Sequence, residues 1–180
     1  MTTKEGIAYI LKIVGENGFS GIKTTHTKPY DAFLSVVNNT LPQSINLRVY
    51  AEARRQGLLD FNDDDNGIRI TITPFGANRL LAHTANTITI PAMKKWDGLW
   101  RVVTYDIPKG KDKQRVYLSR RLKELGFKML NKSLWVHPYE CQDTVTIITD
   151  YLMISRYVSI FTVTEWDAQT KHTVLQLFKL

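Results

Sequence analysis

The sequence contains one cysteine, Cys141, among its 180 residues. A single cysteine excludes an internal disulfide framework and a thiolate metal cluster, and it is typical of a reducing compartment. No run of about 18 apolar residues occurs, so a transmembrane helix is not expected. The four histidines lack metal-ligand spacing, and no glycine-rich phosphate loop is present. We therefore expect a cytoplasmic protein without a membrane segment or a resident cofactor.

Acidic residues are scarce in one stretch of the chain. Residues 109–132 contain nine Lys or Arg and only two Asp or Glu, whereas the whole chain has a net charge of +7. The basicity is therefore local, and it favours a polyanionic partner such as nucleic acid. A solvated helix face without a partner is the alternative explanation of such a charge run.

The first part of the chain, residues 1–84, shows the pattern of a winged helix-turn-helix DNA-binding domain. Apolar residues at helical spacing predict four helices: Ile7, Ile10, Leu11 and Val14; Phe33, Leu34 and Val37; the segment from about Pro42 to Gln56; and Phe75, Leu80 and Leu81 after Thr73-Pro74. Between the third and fourth helices, residues 58–61 and 68–72 predict a β-hairpin around an Asn-, Asp- and Gly-rich turn. A loop rich in Thr, Gly and Lys is expected after the first helix.

The third helix of this domain is the one expected to enter the major groove. Asn46, Val49, Tyr50 and Ala53 share its predicted core face, and Ser44, Leu47, Arg48, Ala51 and Arg55 share the opposite face. The candidate DNA-contacting residues are Gln43, Ser44, Arg48 and Arg55. A helical domain that binds protein remains the alternative. Three consecutive Asp residues in the wing turn, 63–65, would repel phosphates, so either the wing points away from DNA or the domain binds another partner.

The second part of the chain predicts a linker at residues 85–95, extended from Thr84 to Pro91, and a domain at residues 96–180. The order of its elements is β-α-β-β-α-β, which is the ferredoxin-like arrangement of an antiparallel sheet with two helices. The predicted elements are Trp100–Asp106, Lys113–Leu125, Phe127–Leu130, Ser133–His137, a helix with Cys141, Val145, Ile148 and Leu152, and Tyr157–Thr164. A last short helix is expected after Asp167, with Val174, Leu175 and Phe178 as its apolar positions. The fold class is therefore α+β.

Several motifs resemble those of PaaX-type transcriptional repressors. They are Trp-Asp-Gly-x-Trp-Arg at 96–101, Tyr-Asp-Ile-Pro at 105–108, Leu-Gly-Phe at 125–127, Ser-Leu-Trp-Val-x-Pro at 133–138, and, in the first half, residues 54–59 and 72–76. In that family a winged helix precedes a ferredoxin-like module, which is itself similar to the small CRISPR-associated spacer-acquisition nuclease. The resemblance implies a prokaryotic DNA-binding protein that forms a homodimer through its second module.

Asp106 is the position onto which the catalytic acid of that nuclease family maps, with Ser133 as a weaker match. One carboxylate does not hold a catalytic magnesium alone, but two Asp106 residues across a dimer axis could share one. Asp is also common at helix N-caps and in turns, so a structural role stays open. Trp96, Trp100 and Trp135 are more typical of a core or an interface than of base stacking.

The sequence thus predicts a dimeric, repressor-like regulator that binds double-stranded DNA. In addition to the third helix, Lys109, Lys111, Lys113, Arg120 and Arg121 are predicted to hold phosphates. The alternatives are a magnesium-dependent endonuclease using Asp106 and a structural subunit of a spacer-acquisition complex. The sequence indicates neither the operator nor a small-molecule effector.

Overall fold

The structure is a computed structural model, and it describes residues 1–37, 40–64, 66–91 and 95–179, without the side chains of Phe19 and Asp64. The chain folds into two compact units, Met1–His83 and Thr84–Leu180. Residues 92–94 of the predicted linker, the predicted helix break at Asn38-Asn39, and Asp65 of the wing turn lie outside the described residues. No helix in the described ranges is long and apolar enough to span a bilayer.

The first unit contains a winged helix, as predicted. Its elements are α1 (Thr3–Glu16), β1 (Ile22–Lys23), α2 (Pro29–Val37), α3 (Gln43–Arg55), β2 (Leu59–Asp64), β3 (Gly67–Ile72) and most of α4 (Pro74–Thr87), whose residues from Thr84 onwards belong to the second unit. The strands form one antiparallel sheet in the order β1-β3-β2. The three helices α1, α2 and α3 bury one core against β3, with Ile10, Phe33 and Val49 fully buried in it.

Side-chain caps fix the starts of two helices in this unit. At α1, the Thr2 hydroxyl accepts from the Glu5 amide at 3.3 Å, and the Glu5 carboxylate accepts from the Thr2 amide at 2.7 Å. At α4, the Thr73 hydroxyl accepts from the Gly76 amide at 2.9 Å, which confirms Thr73 as the N-cap. The same hydroxyl donates to the Gly57 carbonyl at 2.7 Å, so the cap also ties α4 to the end of α3.

A short strand, β1, lies where the sequence indicated only a loop. Ile22 pairs with Ile70 of β3, and the Thr24 amide donates to the Ile68 carbonyl at 2.9 Å. Gly21 has a φ of +63°, and a Cβ there would lie 2.3 Å from the Ile70 carbonyl oxygen. A strand of two residues is too short to show an alternation of apolar and polar residues. It is therefore defined only by its pairing with β3.

The fourth helix extends further than predicted. Thr84–Thr87, expected to be extended, form its last turn, and Ala85 is completely buried. The next residues form no strand, although Ile88 and Ile90 pack against the core of the second unit. Phe75, predicted as an apolar position of α4, is 61% exposed.

The second unit has the ferredoxin-like fold, as predicted. Its elements are β4 (Trp100–Tyr105), α5 (Asp112–Glu124), β5 (Lys128–Asn131), β6 (Leu134–His137), α6 (Gln142–Tyr151), β7 (Val158–Val163) and α7 (Ala168–Phe178). The sheet order is β5-β6-β4-β7, and all neighbours are antiparallel. The two central strands are therefore β6 and β4, and β4 ends beside Asp106.

Each face of this sheet has its own core. Val103 and Tyr105 of β4 pack with Leu118 of α5 and Ile148 of α6. The alternate residues of β4, Trp100 and Val102, pack on the other face with Val174, Leu175 and Phe178 of α7. Asp167 caps α7 by accepting from the Gln169 and Thr170 amides at 3.0 Å. The predicted last helix is thus present, and it covers the sheet face opposite α5 and α6.

Candidate nucleic-acid interface

The outer face of α3 is exposed over its length. Asn46, Val49 and Ala53 point into the core, as predicted from helical spacing. The predicted contact residues Gln43, Ser44, Arg48 and Arg55 are all exposed. Between them lies Leu47, whose side chain is 61% exposed. The face therefore offers amide, hydroxyl, guanidinium and apolar groups, which are the groups that contact base edges and phosphates in a major groove.

Arg55 differs from Arg48 in having a partner within the helix. Its Nε and Nη2 atoms donate to the Glu52 carboxylate at 2.9 and 2.6 Å, and the Gln56 amide donates to the same carboxylate. The hydrogen bonds from Arg55 are the main reason that the pKa of Glu52 falls to about 2. The positive charge of Arg55 is therefore offset locally, whereas Arg48 forms no ion pair with any residue that the structure describes.

The acidic residues of the wing lie along a strand, and not only in a turn as the sequence predicted. The predicted turn spanned residues 62–67, but β2 continues to Asp64, which pairs with Gly67. Asp60 and Asp63 are both exposed on β2. This wing strand would meet DNA phosphates with like charge, so it is a poor candidate for a backbone contact.

The basic segment after Asp106 separates into surface and interior residues. Lys109, Lys113 and Arg120 are exposed, and Lys111 is half-buried at the N-cap of α5. Arg115, by contrast, donates to the Ile107 carbonyl at 2.7 Å and thereby holds the loop between β4 and α5. This segment therefore presents fewer free cations than its composition indicates.

Arg121 is buried, although the sequence predicted an exposed phosphate contact. The sequence placed it with Arg120 on an exposed charged face of α5, but it is only 6% exposed. Its guanidinium donates to the carbonyl oxygens of Ala85 at 3.1 Å and Ile88 at 2.9 Å, and to Glu124 at 2.7 Å. These bonds satisfy carbonyls at the end of α4, which is where a cation is most favourable. Its donors are used inside the unit, so we leave Arg121 out of the phosphate-contacting set.

Asp106 lies in a cavity of about 520 Å³ at the end of β4. Its amide donates to the Tyr157 carbonyl at 3.0 Å, and its side chain is exposed. The N-cap of α5 is Lys111, so Asp106 does not cap that helix. Ser133 and Arg156 line the same cavity. The structure thus brings together Asp106 and its weaker sequence match Ser133, and adds a cation that the sequence did not suggest.

This donor set does not fit a magnesium ion within one chain. Magnesium is held by one or two carboxylates with water and substrate phosphates, and it is repelled by a neighbouring guanidinium. Asp106 is the only acid among the described residues that line the cavity, and the cation Arg156 lines it too. Within the described ranges, no group of three or more His, Cys, Asp or Glu side chains could hold a metal.

The tryptophan-rich motif at residues 96–101 has a structural role. Arg101 is 6% exposed, and its Nη1 and Nη2 atoms donate to Asp97 at 2.8 and 2.7 Å. It also reaches Glu140, at 3.2 Å, and so links the start of β4 to the segment before α6. Trp100 is buried against Phe178 of α7, with ring centroids 5.4 Å apart. Trp135 is 6% exposed on the other sheet face, so both rings are core groups, as expected from the sequence.

The protein belongs to the class in which a winged helix is joined to a ferredoxin-like unit. Residues 93–175 match the family model described as the PaaX protein central Cas2-like domain. The second unit is therefore similar to this domain family, and the predicted resemblance to PaaX is confirmed for residues 93–175. A comparison with curated proteins gives no match.

Two exposed residues were missed as candidates by the sequence reasoning. Leu47 was placed on the outer face of α3 but was not selected, although an apolar residue on a polar helix face is a detectable signal. Arg156 gave no signal, because it is distant from Asp106 in sequence and only the antiparallel pairing of β4 with β7 brings it close.

Proposed function

We propose that this protein is a DNA-binding transcriptional regulator of the PaaX type that acts as a homodimer. The exposed outer face of α3 in a winged helix carries this proposal, since that helix is the usual major-groove element of the motif. The PaaX-type second unit supports it, because the resemblance implies repressor function.

In this proposal, α3 provides sequence recognition. Gln43 and Ser44 stand at the first turn of the helix, where recognition helices approach the base edges. Arg48 is free of ion pairs among the described residues and can donate two bonds to one guanine. Arg55 contributes less, because Glu52 already accepts from it.

The second unit provides dimerisation and general affinity. Its proposed phosphate contacts lie at the N-terminal end of α5 or on its exposed face, with few acids nearby. They are Lys109, Lys111, Lys113 and Arg120. Arg120 is partly offset by Glu124, at 3.7 Å, and its guanidinium lies over the Tyr117 ring. We expect a particle of twice the 20.7 kDa chain mass in solution, as measured by analytical ultracentrifugation.

Duplex binding measured across a salt series tests the proposal. The probe is a labelled duplex of about 30 base pairs, long enough for two half-sites, selected from a random pool by the protein. We expect log K to fall with log salt by about 0.9 for each phosphate contacted. Arg48→Ala should reduce selective binding, whereas Lys12→Ala, an exposed control on α1, should not. A flat salt dependence would contradict the proposal. So would an Arg48→Ala variant that binds the selected duplex as selectively as the wild-type protein does.

A further inference from the structure

A second basic feature of the first unit lies beside α3, and the proposed function uses only its residues on α3. It is a cavity of about 580 Å³ whose walls come from α1, α3 and α4. Each helix contributes at least one cation to this wall: Lys4 from α1, Arg48 and Arg55 from α3, and Arg79 from α4. We refer to it as the α1–α3–α4 cavity.

The charges around this cavity do not cancel. Glu52, the one acid among the described residues of its wall, accepts hydrogen bonds from Arg55, with a shortest distance of 2.6 Å, and from Gln56. Lys4, Arg48 and Arg79 are exposed, and none of them pairs with an acid in the described ranges. Three uncompensated cations from three helices therefore face one open space. The like charges repel one another, so an anion in the cavity would lower their energy.

The cavity adjoins the face that is proposed to read DNA. Arg48, Ala51 and Arg55 belong both to its wall and to the outer face of α3. An α-helix is about 10–12 Å across, and the major groove is about 12 Å wide. A helix seated in the groove therefore has a phosphate strand along each flank, and the cavity lies on one flank of α3.

We propose that the α1–α3–α4 cavity binds backbone phosphates of the DNA strand that flanks α3, with Lys4 and Arg79 as the donors from outside the recognition helix. This inference rests on the proposed function. It assigns a phosphate-contacting role to α1 and α4, in place of the acidic wing. Lys4 and Arg79 add affinity without sequence preference, because phosphates are the same at every base pair.

The test compares two double variants with the same loss of charge. Lys4→Ala with Arg79→Ala removes the two proposed donors, and Lys12→Ala with Lys28→Ala removes two exposed lysines of the same unit that do not line the cavity. Binding to the selected duplex and to an unrelated duplex is measured by fluorescence anisotropy across a potassium chloride series. We expect the cavity variant to bind both duplexes roughly tenfold more weakly and to lose roughly 1 to 2 units of salt slope. The control variant should keep the wild-type slope.

The outcomes separate this inference from the proposed function. If the cavity variant matches the control while Arg48→Ala loses selectivity, the cavity proposal is wrong and the regulator remains. If the wild-type protein binds neither duplex, both are wrong. Titration with tripolyphosphate checks for a small phosphorylated ligand instead. If tripolyphosphate binding is lost in the cavity variant while its DNA affinity is unchanged, the cavity belongs to a free ligand and the proposal is overturned.

Discussion

Arg101 and Asp97 form a two-pronged ion pair at the start of β4, with nitrogen–oxygen distances of 2.8 and 2.7 Å. The hydrogen bonds from Arg101 are the main reason that the pKa of Asp97 falls from 3.8 to about 2. The Leu99 amide, at 3.0 Å from the same carboxylate, acts in the same direction. This pair explains why the motif at residues 96–101 contains both an acid and an arginine.

The first prediction concerns the pH dependence of stability. A carboxylate whose pKa is depressed in the folded state stabilises the protein fully above its unfolded pKa, here 3.8, and loses that effect as pH falls towards 2. Asp97→Asn should therefore lower the free energy of unfolding at neutral pH. The difference in this free energy between the variant and the wild type should shrink as the pH falls from 3.8 to about 2. Urea unfolding at a series of pH values measures this. Glu165→Gln, at an exposed acid, is the control and should show no such convergence.

The second prediction contrasts two adjacent arginines of α5. Arg121→Met should reduce the free energy of unfolding by about 2 kcal/mol, because the carbonyls of Ala85 and Ile88 lose their donor. Arg120→Met should cost less than about 1 kcal/mol, since Arg120 is exposed. Hydrogen exchange of the amides in residues 84–88 should quicken only in Arg121→Met. Equal effects of the two substitutions would mean that Arg121 does not hold this segment.

The third prediction concerns Leu47 and rests on the proposed function. An exposed leucine on a recognition helix can contact a thymine methyl group. Leu47→Ala should weaken binding to the selected duplex by about fivefold, equivalent to about 1 kcal/mol, and relax the preference at one thymine position. Binding to unrelated duplex and the salt slope should not change, because the residue has no charge. A uniform loss on every duplex would exclude this role.

The fourth prediction addresses the nuclease alternative. Asp106 is the one acid among the described residues of this cavity, and the cation Arg156 shares the cavity with it, so we expect no cleavage of duplex DNA, single-stranded DNA or RNA with magnesium or manganese. Asp106→Asn should also leave stability nearly unchanged, since the side chain is exposed. Cleavage by the wild type that disappears in Asp106→Asn, but persists in an Asp143→Asn control, would establish the nuclease and the need for Asp106.

Periodicity in the sequence was sufficient for most of the fold. The stripe Ile7, Ile10, Leu11 and Val14 gave α1, and the alternation of Trp100–Tyr105 gave β4, because each pattern follows from the geometry of its own element. The order of the elements then fixed the ferredoxin-like unit. The caps at Thr73 and Asp167 could also be predicted from the sequence. A capping side chain accepts a hydrogen bond from a backbone amide only two or three residues away.

The sequence by itself thus determined the element types, the two architectures and the exposed face of α3. The tertiary structure decided which cations remain free. Arg120 and Arg121 are neighbours of the same residue type, yet only the packing of residues 84–88 on α5 turns one of them inward. The basic cavity of the first unit, and the presence of Asp106 and Arg156 in one cavity, depend on contacts between distant segments. Local patterns encode helices and strands, but long-range packing determines the environment of each charge.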